Sequence, residues 1–196
     1  WRVRAALAHK GIRAEMISVS LLNGESESAE HLERNPAGFV PVLELPSGER
    51  LTESMAICEF LEETHPSPAL LPKSAMDRVY IRTLCEVINA GTQPLQNSGV
   101  QEFLSPDLDR RKAWSHHWVQ AGLSVYENLA SRSGSFSLGE LPTLADYFLI
   151  PQVYNALRYE VDLSRFPRVA SIHEKALKLP AIDSTHPDRY APATVR

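Results

Sequence analysis

The feature that most constrains the fold is a change of texture at the proline-rich stretch HPSPALLP, residues 65–72. Before it, short apolar alternations are separated by turn residues; after it, long segments repeat their apolar residues at helical spacing. Proline ends helices and strands alike, because it lacks an N–H and restricts the residue in front of it. The stretch therefore reads as a linker, residues 66–73, between an α/β unit over 1–65 and an all-helical unit over 74–196. A chain of 196 residues, 43% of them apolar, can bury a core of that size.

In the first unit, WRVRAALAHK places Trp1, Val3, Ala6, Leu7 and Ala8 as a short helix, stopped by Gly11 as a C-terminal cap. RAEMISVSL alternates loosely and reads as a strand, and Ser28 to Arg34 as a brief charged helix ended by Asn35-Pro36. FVPVLEL and ERLT, joined by Pro46-Ser47-Gly48, form a hairpin. Ser54 then caps a helix that buries Ile57, Phe60 and Leu61 and ends at His65-Pro66. A strand in front of Trp1 would complete a βαβ followed by ββα. The second unit carries helical patterns over 74–103, 107–132, 143–158 and 166–179. Within it, Thr143 and Asp146 have the spacing of a capping box, which makes Asp146 a structural residue.

Composition narrows the function. The net charge is −4, and the basic residues are scattered apart from Arg110-Arg111-Lys112, so no positive face for nucleic acid is expected. No apolar run approaches the roughly 20 residues that cross a bilayer. Cys58 and Cys85 sit among apolar residues without a CxxC or a regular spacing, which suits reduced core cysteines of a cytosolic protein. His116-His117 make a poor ligand pair, because neighbours on a helix point about 100° apart, and no metal site is expected. Trp114 and Trp118, four apart, read as a packed stripe.

Chemistry concentrates in NPAGFVPVLELPSGERLTESMAI. Proline after Val40 is out of place before a strand. A cis Val40-Pro41 bond would turn the chain and leave the Val40 N–H and C=O free for an extended peptide. Ser54 offers a hydroxyl and free N–H groups at a helix start, which suit a carboxylate, and Glu53 offers a charge for an ammonium. Together they would grip a group bearing both charges.

This stretch resembles the thioredoxin-like domain of soluble glutathione transferases, and the resemblance extends over the whole chain. Three further stretches are similar to the zeta class: WRVRAALAHKG, AGTQPLQN over 90–97, and PTLADYFLIPQVYNALRYEVDLS. The resemblance implies a thioredoxin-like domain followed by the helical domain of the family, with glutathione as cofactor and homodimeric assembly. It assigns Val40, Pro41, Glu53, Ser54, Gln93, Asn97, Trp1 and Arg2 to glutathione. A dicarboxylate substrate falls to Arg158, with Arg4 and Arg2 as weaker candidates; a pair with Asp162, four residues on, is the structural alternative for Arg158. The class signature puts a Ser-Ser-Cys segment immediately before Trp-Arg-Val-Arg, so the catalytic hydroxyl or thiol is expected there and has no number in this sequence.

The implied activity is isomerisation of maleylacetoacetate to its trans form in tyrosine and phenylalanine breakdown. A cis alkene conjugated to a carbonyl isomerises when a nucleophile adds, the new single bond rotates and the nucleophile leaves. A thiol of pKa about 8.5 needs help to be ionised at neutral pH, from a hydroxyl donor and a helix N-terminus. The competing readings are a maleylpyruvate isomerase or general conjugating transferase, and a non-catalytic binding module on the same fold.

Overall fold

The computed structural model describes residues 1–21, 23–130 and 133–190. Its elements are α1 (Arg2–His9), α2 (Ala29–Arg34), β1 (Val42–Glu44), β2 (Arg50–Thr52), α3 (Ser54–Thr64), α4 (Ala75–Asn89), α5 (Ser98–Leu104), α6 (Leu108–Leu129), α7 (Leu144–Arg158), α8 (Pro167–Ala176) and α9 (Pro180–Asp183). Gly11 closes α1 with φ +67°, a left-handed turn that glycine adopts without a Cβ clash. β1 and β2 pair antiparallel, with Leu43 opposite Leu51, and the Pro46-Ser47-Gly48 turn joins them as expected. α1 packs on α3, α7 and α9, while α4 and α7 form the centre of the helical part. The core runs without a break from Val3 and Ala6 on α1, through Ile57 and Leu61 on α3, to Leu84, Leu123, Phe148 and Ile172.

Four expectations are corrected. Residues 13–21 form no strand: the backbone there pairs with no ladder among the described residues, and Ile17 is 70% exposed. Alternation alone does not hold a strand that lacks a partner. The pattern over 74–103 is not one helix, because the chain leaves α4 at Ala90-Gly91 and turns through Gln93–Gln96 before α5. Thr92 is fully buried at this break, its hydroxyl donating to the Val87 carbonyl at 2.7 Å. It seats against Gly122 of α6, where an added Cβ would lie 2.0 Å from the Thr92 hydroxyl oxygen. Tertiary packing thus overrides local helical periodicity. The pattern over 166–179 holds only for Pro167–Ala176, and α9 follows it. Ser54 is not the cap of α3 but its first residue: Glu53 occupies the cap with φ +64°, and the Ser54 hydroxyl accepts from Arg2 instead.

Two buried carboxylates tie the elements together. Asp146, 1% exposed, accepts from the Thr143 N–H (2.7 Å) and hydroxyl (2.9 Å) and from the Ser137 N–H (2.8 Å) and hydroxyl (2.6 Å). The reach back to the Thr143 N–H is the bond expected of the capping box. Burial pushes the Asp146 carboxyl upward, against the pull of these bonds. Glu62 was not anticipated. It receives Lys10 Nζ at 2.7 Å and the N–H groups of Leu70 and Leu71 at 3.0 Å each, while Lys10 also donates to the carbonyls of His65 and Pro68. The Lys10 side chain is wholly buried. Burial alone would raise the Glu62 carboxyl; the bond from Lys10, then those from Leu70 and Leu71, outweigh it, and the net shift is down.

Candidate active site

The site is laid out by the N-terminal ends of α1 and α3, the turn before β1, the turn after α4 and the C-terminal end of α7. The Val40-Pro41 peptide is cis, as expected. Val40 is 44% exposed, and its backbone N–H and C=O have no partner among the described residues. His31 Nε2 and the Asn35 amide both bond the Phe39 carbonyl, which fixes the turn from below. Glu53 is exposed, and Ser54 beside it stands where the N–H groups of the first turn of α3 point out of the helix.

Arg2 is the hub of this half. It is buried, and its guanidinium donates to Ser54 Oγ (3.2 Å) and Asn89 Oδ1 (2.9 Å) while lying 4.5 Å from the centre of the Phe148 ring. Burial lowers its pKa to about 10, still charged at neutral pH. The guanidinium therefore joins α1, α3, α4 and α7 at one point and sets the Ser54 hydroxyl. Cys58 and Cys85 are buried and unpaired; burial pushes the Cys58 thiol up to about 12 and raises Cys85 as well, so neither is a reactive thiolate at neutral pH.

The second half is a hydrogen-bond chain. Gln93 Nε2 donates to Asn97 Oδ1 at 2.8 Å, which brings together the two residues predicted from the turn after α4. Between them in sequence, buried Gln96 exchanges bonds with Gln152 and accepts from Asn155 Nδ2 at 3.2 Å. Asn155 Oδ1 in turn accepts from Arg158 at 3.4 Å. Asp162 does not pair with Arg158; it caps the next turn through the Ser164 N–H. Among the described residues no carboxylate lies within 4.0 Å of Arg158. Arg158 faces a groove of about 420 Å³ that Arg111 and Lys112 also line. Those two are engaged elsewhere, Lys112 with Glu160 at 2.6 Å and Arg111 with the Ser105 carbonyl.

The side chains of Trp1 and Arg4 meet residues near the C-terminal end of the described chain. Trp1 Nε1 donates to Thr185 Oγ1 at 3.0 Å, and Arg4 donates to the Thr185 carbonyl and lies 4.4 Å from the centre of the Tyr190 ring. His116 bonds the Tyr159 carbonyl, and Trp114 and Trp118 pack edge-on at 5.6 Å, the stripe expected of them. No group of three His, Cys, Asp or Glu residues among the described ones could hold a metal. Sequence reading missed Asn89, Gln96 and Asn155. The only cue was position: a polar residue ending α4, and an asparagine one turn before Arg158.

Residues 1–64 match the family "Glutathione S-transferase, N-terminal domain". The chain is 39% identical to probable maleylacetoacetate isomerase 1 of Drosophila melanogaster over 95% of this chain and 76% of that one. The chain belongs to the zeta-class glutathione transferases. Among solved structures of this class, maleylacetoacetate isomerase of Anaeromyxobacter dehalogenans, with bound dicarboxyethyl glutathione and citrate in its active site, superposes with a TM-score of 0.87 at 40% identity, covering 100% of this chain and 92% of that one. A bacterial zeta-class maleyl pyruvate isomerase in its holo form gives 0.93 at 34% identity, covering 99% and 94%. The expected class and fold, a thioredoxin-like unit followed by helices, are those of this zeta-class chain.

Proposed function

We propose that this zeta-class protein isomerises maleylacetoacetate to fumarylacetoacetate with glutathione. The observation that carries the reading is the match over the whole chain to maleylacetoacetate isomerases, joined to an exposed, unpaired Arg158 for a substrate carboxylate. Bound glutathione would supply a thiolate nucleophile, whose reversible addition to the conjugated alkene permits rotation and whose elimination regenerates the same thiolate.

The residues present fit that cofactor. The unpartnered N–H and C=O of Val40, beside Pro41, suit an extended peptide, which adds to a free edge through main-chain bonds. Ser54 and the first N–H groups of α3 take an α-carboxylate, with Glu53 placed for the ammonium. Glu53 holds φ +64°, a conformation that costs a side-chain-bearing residue about 1–3 kcal/mol and recurs at ligand clamps. Arg2 acts through Ser54, positioning its hydroxyl. Gln93 and Asn97 approach from the helical side. Trp1 starts α1, whose N-terminal N–H groups favour a thiolate over a thiol. Arg158 receives the substrate carboxylate, with Arg4 a weaker contributor because its guanidinium is engaged by Thr185 and Tyr190.

We read residues 1–65 as the glutathione-binding domain, 66–73 as the linker and 74–196 as the helical domain. The protein acts in the cytoplasm, in tyrosine and phenylalanine breakdown, as a homodimer. A dimer face is supported by α4, where Met76 is 75% and Val79 56% exposed and Val79, Arg82, Thr83, Glu86 and Val87 line a groove of about 500 Å³. Maleylpyruvate is the second reading, supported by the TM-score of 0.93 to the maleyl pyruvate isomerase. Initial rates with glutathione and each of maleylacetoacetate, maleylpyruvate and an aryl halide decide between them. The largest kcat/KM is expected for maleylacetoacetate; a preference for the aryl halide would overturn the isomerase reading.

A further inference from the structure

One turn before Arg158 on α7 stands Tyr154, and its surroundings are unlike those of a surface tyrosine. Residues four apart on a helix share a face and are separated by about 6 Å along the axis. Tyr154 packs edge-on against Trp1, with ring centres 5.9 Å apart, and against His186 at 5.5 Å; Trp1 and His186 meet at 4.8 Å. The Tyr154 hydroxyl donates to Asp188 Oδ1 at 2.8 Å. Asp188 lies on a strap, Pro187–Arg189, pinned to α1 on both sides: Thr185 takes Trp1 and Arg4, and Tyr190 lies under the Arg4 guanidinium. Among the described residues His186 also faces Asp188, its Nδ1 3.6 Å from the Asp188 carboxylate and accepting from the Asp188 N–H.

We propose that Tyr154 is a specificity-determining residue, which with Arg158 holds the far carboxylate of a dicarboxylate substrate, and that Asp188 competes with that carboxylate for the Tyr154 hydroxyl. This rests on the isomerase reading above. The hydroxyl already demonstrates carboxylate recognition, because a carboxylate of the chain itself sits on it at a normal hydrogen-bond distance. Arg158 adds an unpaired cation on the same helix face, close enough to act electrostatically on the Tyr154 hydroxyl. The bond to Asp188 raises the phenol above its ordinary range, so it is a donor at neutral pH. Trp1, the residue that precedes α1, packs on Tyr154, so the face of α7 that carries Tyr154 lies beside the start of α1.

The test compares maleylacetoacetate with maleylacetone, the same cis alkene without the second carboxylate, in the full-length enzyme with saturating glutathione. Tyr154→Phe should raise KM for maleylacetoacetate roughly tenfold or more, the loss of one hydrogen bond to a charged group, and leave KM for maleylacetone and for glutathione within about twofold. Asp188→Asn should lower KM for maleylacetoacetate, and should have no effect once Tyr154 is Phe. A strap that only braces the fold would make both variants worse together, on both substrates, and that result overturns the proposal; so does a Tyr154→Phe enzyme unchanged on the diacid. An active wild-type enzyme with either result sinks this proposal alone. A wild-type enzyme inert toward both substrates sinks the isomerase reading and this proposal with it.

Discussion

The two halves of the site are built from different materials. In the half proposed to hold glutathione, no apolar side chain among the described residues of 12–52 is fully buried, and much of the candidate surface is backbone: the turn at Val40, the strained Glu53 and the first turn of α3. In the half proposed to hold the substrate, α7 is deeply packed, with Leu144, Phe148, Leu149, Ile150 and Val153 wholly buried, and it carries Asn155 and Arg158 as side chains at its C-terminal end. A thinly packed region can serve as a binding surface only when something else holds it. Here that is a pair of buried polar locks, Lys10–Glu62 on one half and Asp146 on the other.

Removing those locks is the strongest way to break the comparison. Asp146→Ala leaves two N–H groups and two hydroxyls without their acceptor inside the helical core, and should cost about 3 kcal/mol or more, read as a large fall in denaturant midpoint or as failure to accumulate folded protein. Asp146→Asn, which keeps the shape, should lose less. Lys10→Met leaves the Glu62 charge buried against Leu70 and Leu71 without a cation, at about 3 kcal/mol; hydrogen exchange at the amides of residues 65–71 should quicken more than exchange in α7. Equal quickening in both would mean that the two halves do not have separate locks.

A smaller effect comes from pH. Burial, then the nearby Lys10 charge, lowers the His9 pKa below its usual 6.5, while its Nδ1 meets the Tyr147 hydroxyl at 2.9 Å. A group whose folded pKa is lowered binds its proton more tightly when unfolded, so the unfolded state gains protons first as pH falls below 6.5. Stability should therefore decline from pH 7 toward acid. Glu62 adds to the decline, because its lowered carboxyl gives stability above its unfolded pKa, lost as pH falls through the folded one. His9→Gln should flatten the upper part of this profile; an unchanged slope between pH 7 and 6 would remove His9 from the account.

What the sequence disclosed follows from range. The Thr143–Asp146 box, the Pro46-Ser47-Gly48 turn and the Gly11 cap are settled by residues within a few positions of one another, and each stands as read. The cis Val40-Pro41 bond was legible because proline in that place has few alternatives. Three of the four errors turned on distant partners. RAEMISVSL has a strand's pattern with nothing among the described residues to pair with, the break after α4 seats Thr92 against Gly122 of another helix, and the Ser54 hydroxyl is engaged by Arg2, 52 residues away. The Lys10–Glu62 lock spans the same separation, and no local pattern announces it. Of the candidate site, sequence placed Gln93 with Asn97 and left Arg158 open between a substrate carboxylate and a pair with Asp162, which instead bonds Ser164, but it gave no hint of the Gln96–Asn155 bridge next to Arg158.

The proposed function divides the labour, with glutathione held by the first half and the dicarboxylate by the second. Steady-state kinetics of Ser54→Ala and Arg158→Ala, with glutathione and maleylacetoacetate each varied in turn, test it most directly. Ser54→Ala should raise KM for glutathione several-fold and leave that for maleylacetoacetate near wild type, and Arg158→Ala should do the reverse by about tenfold. Variants that each raise both constants alike would contradict it.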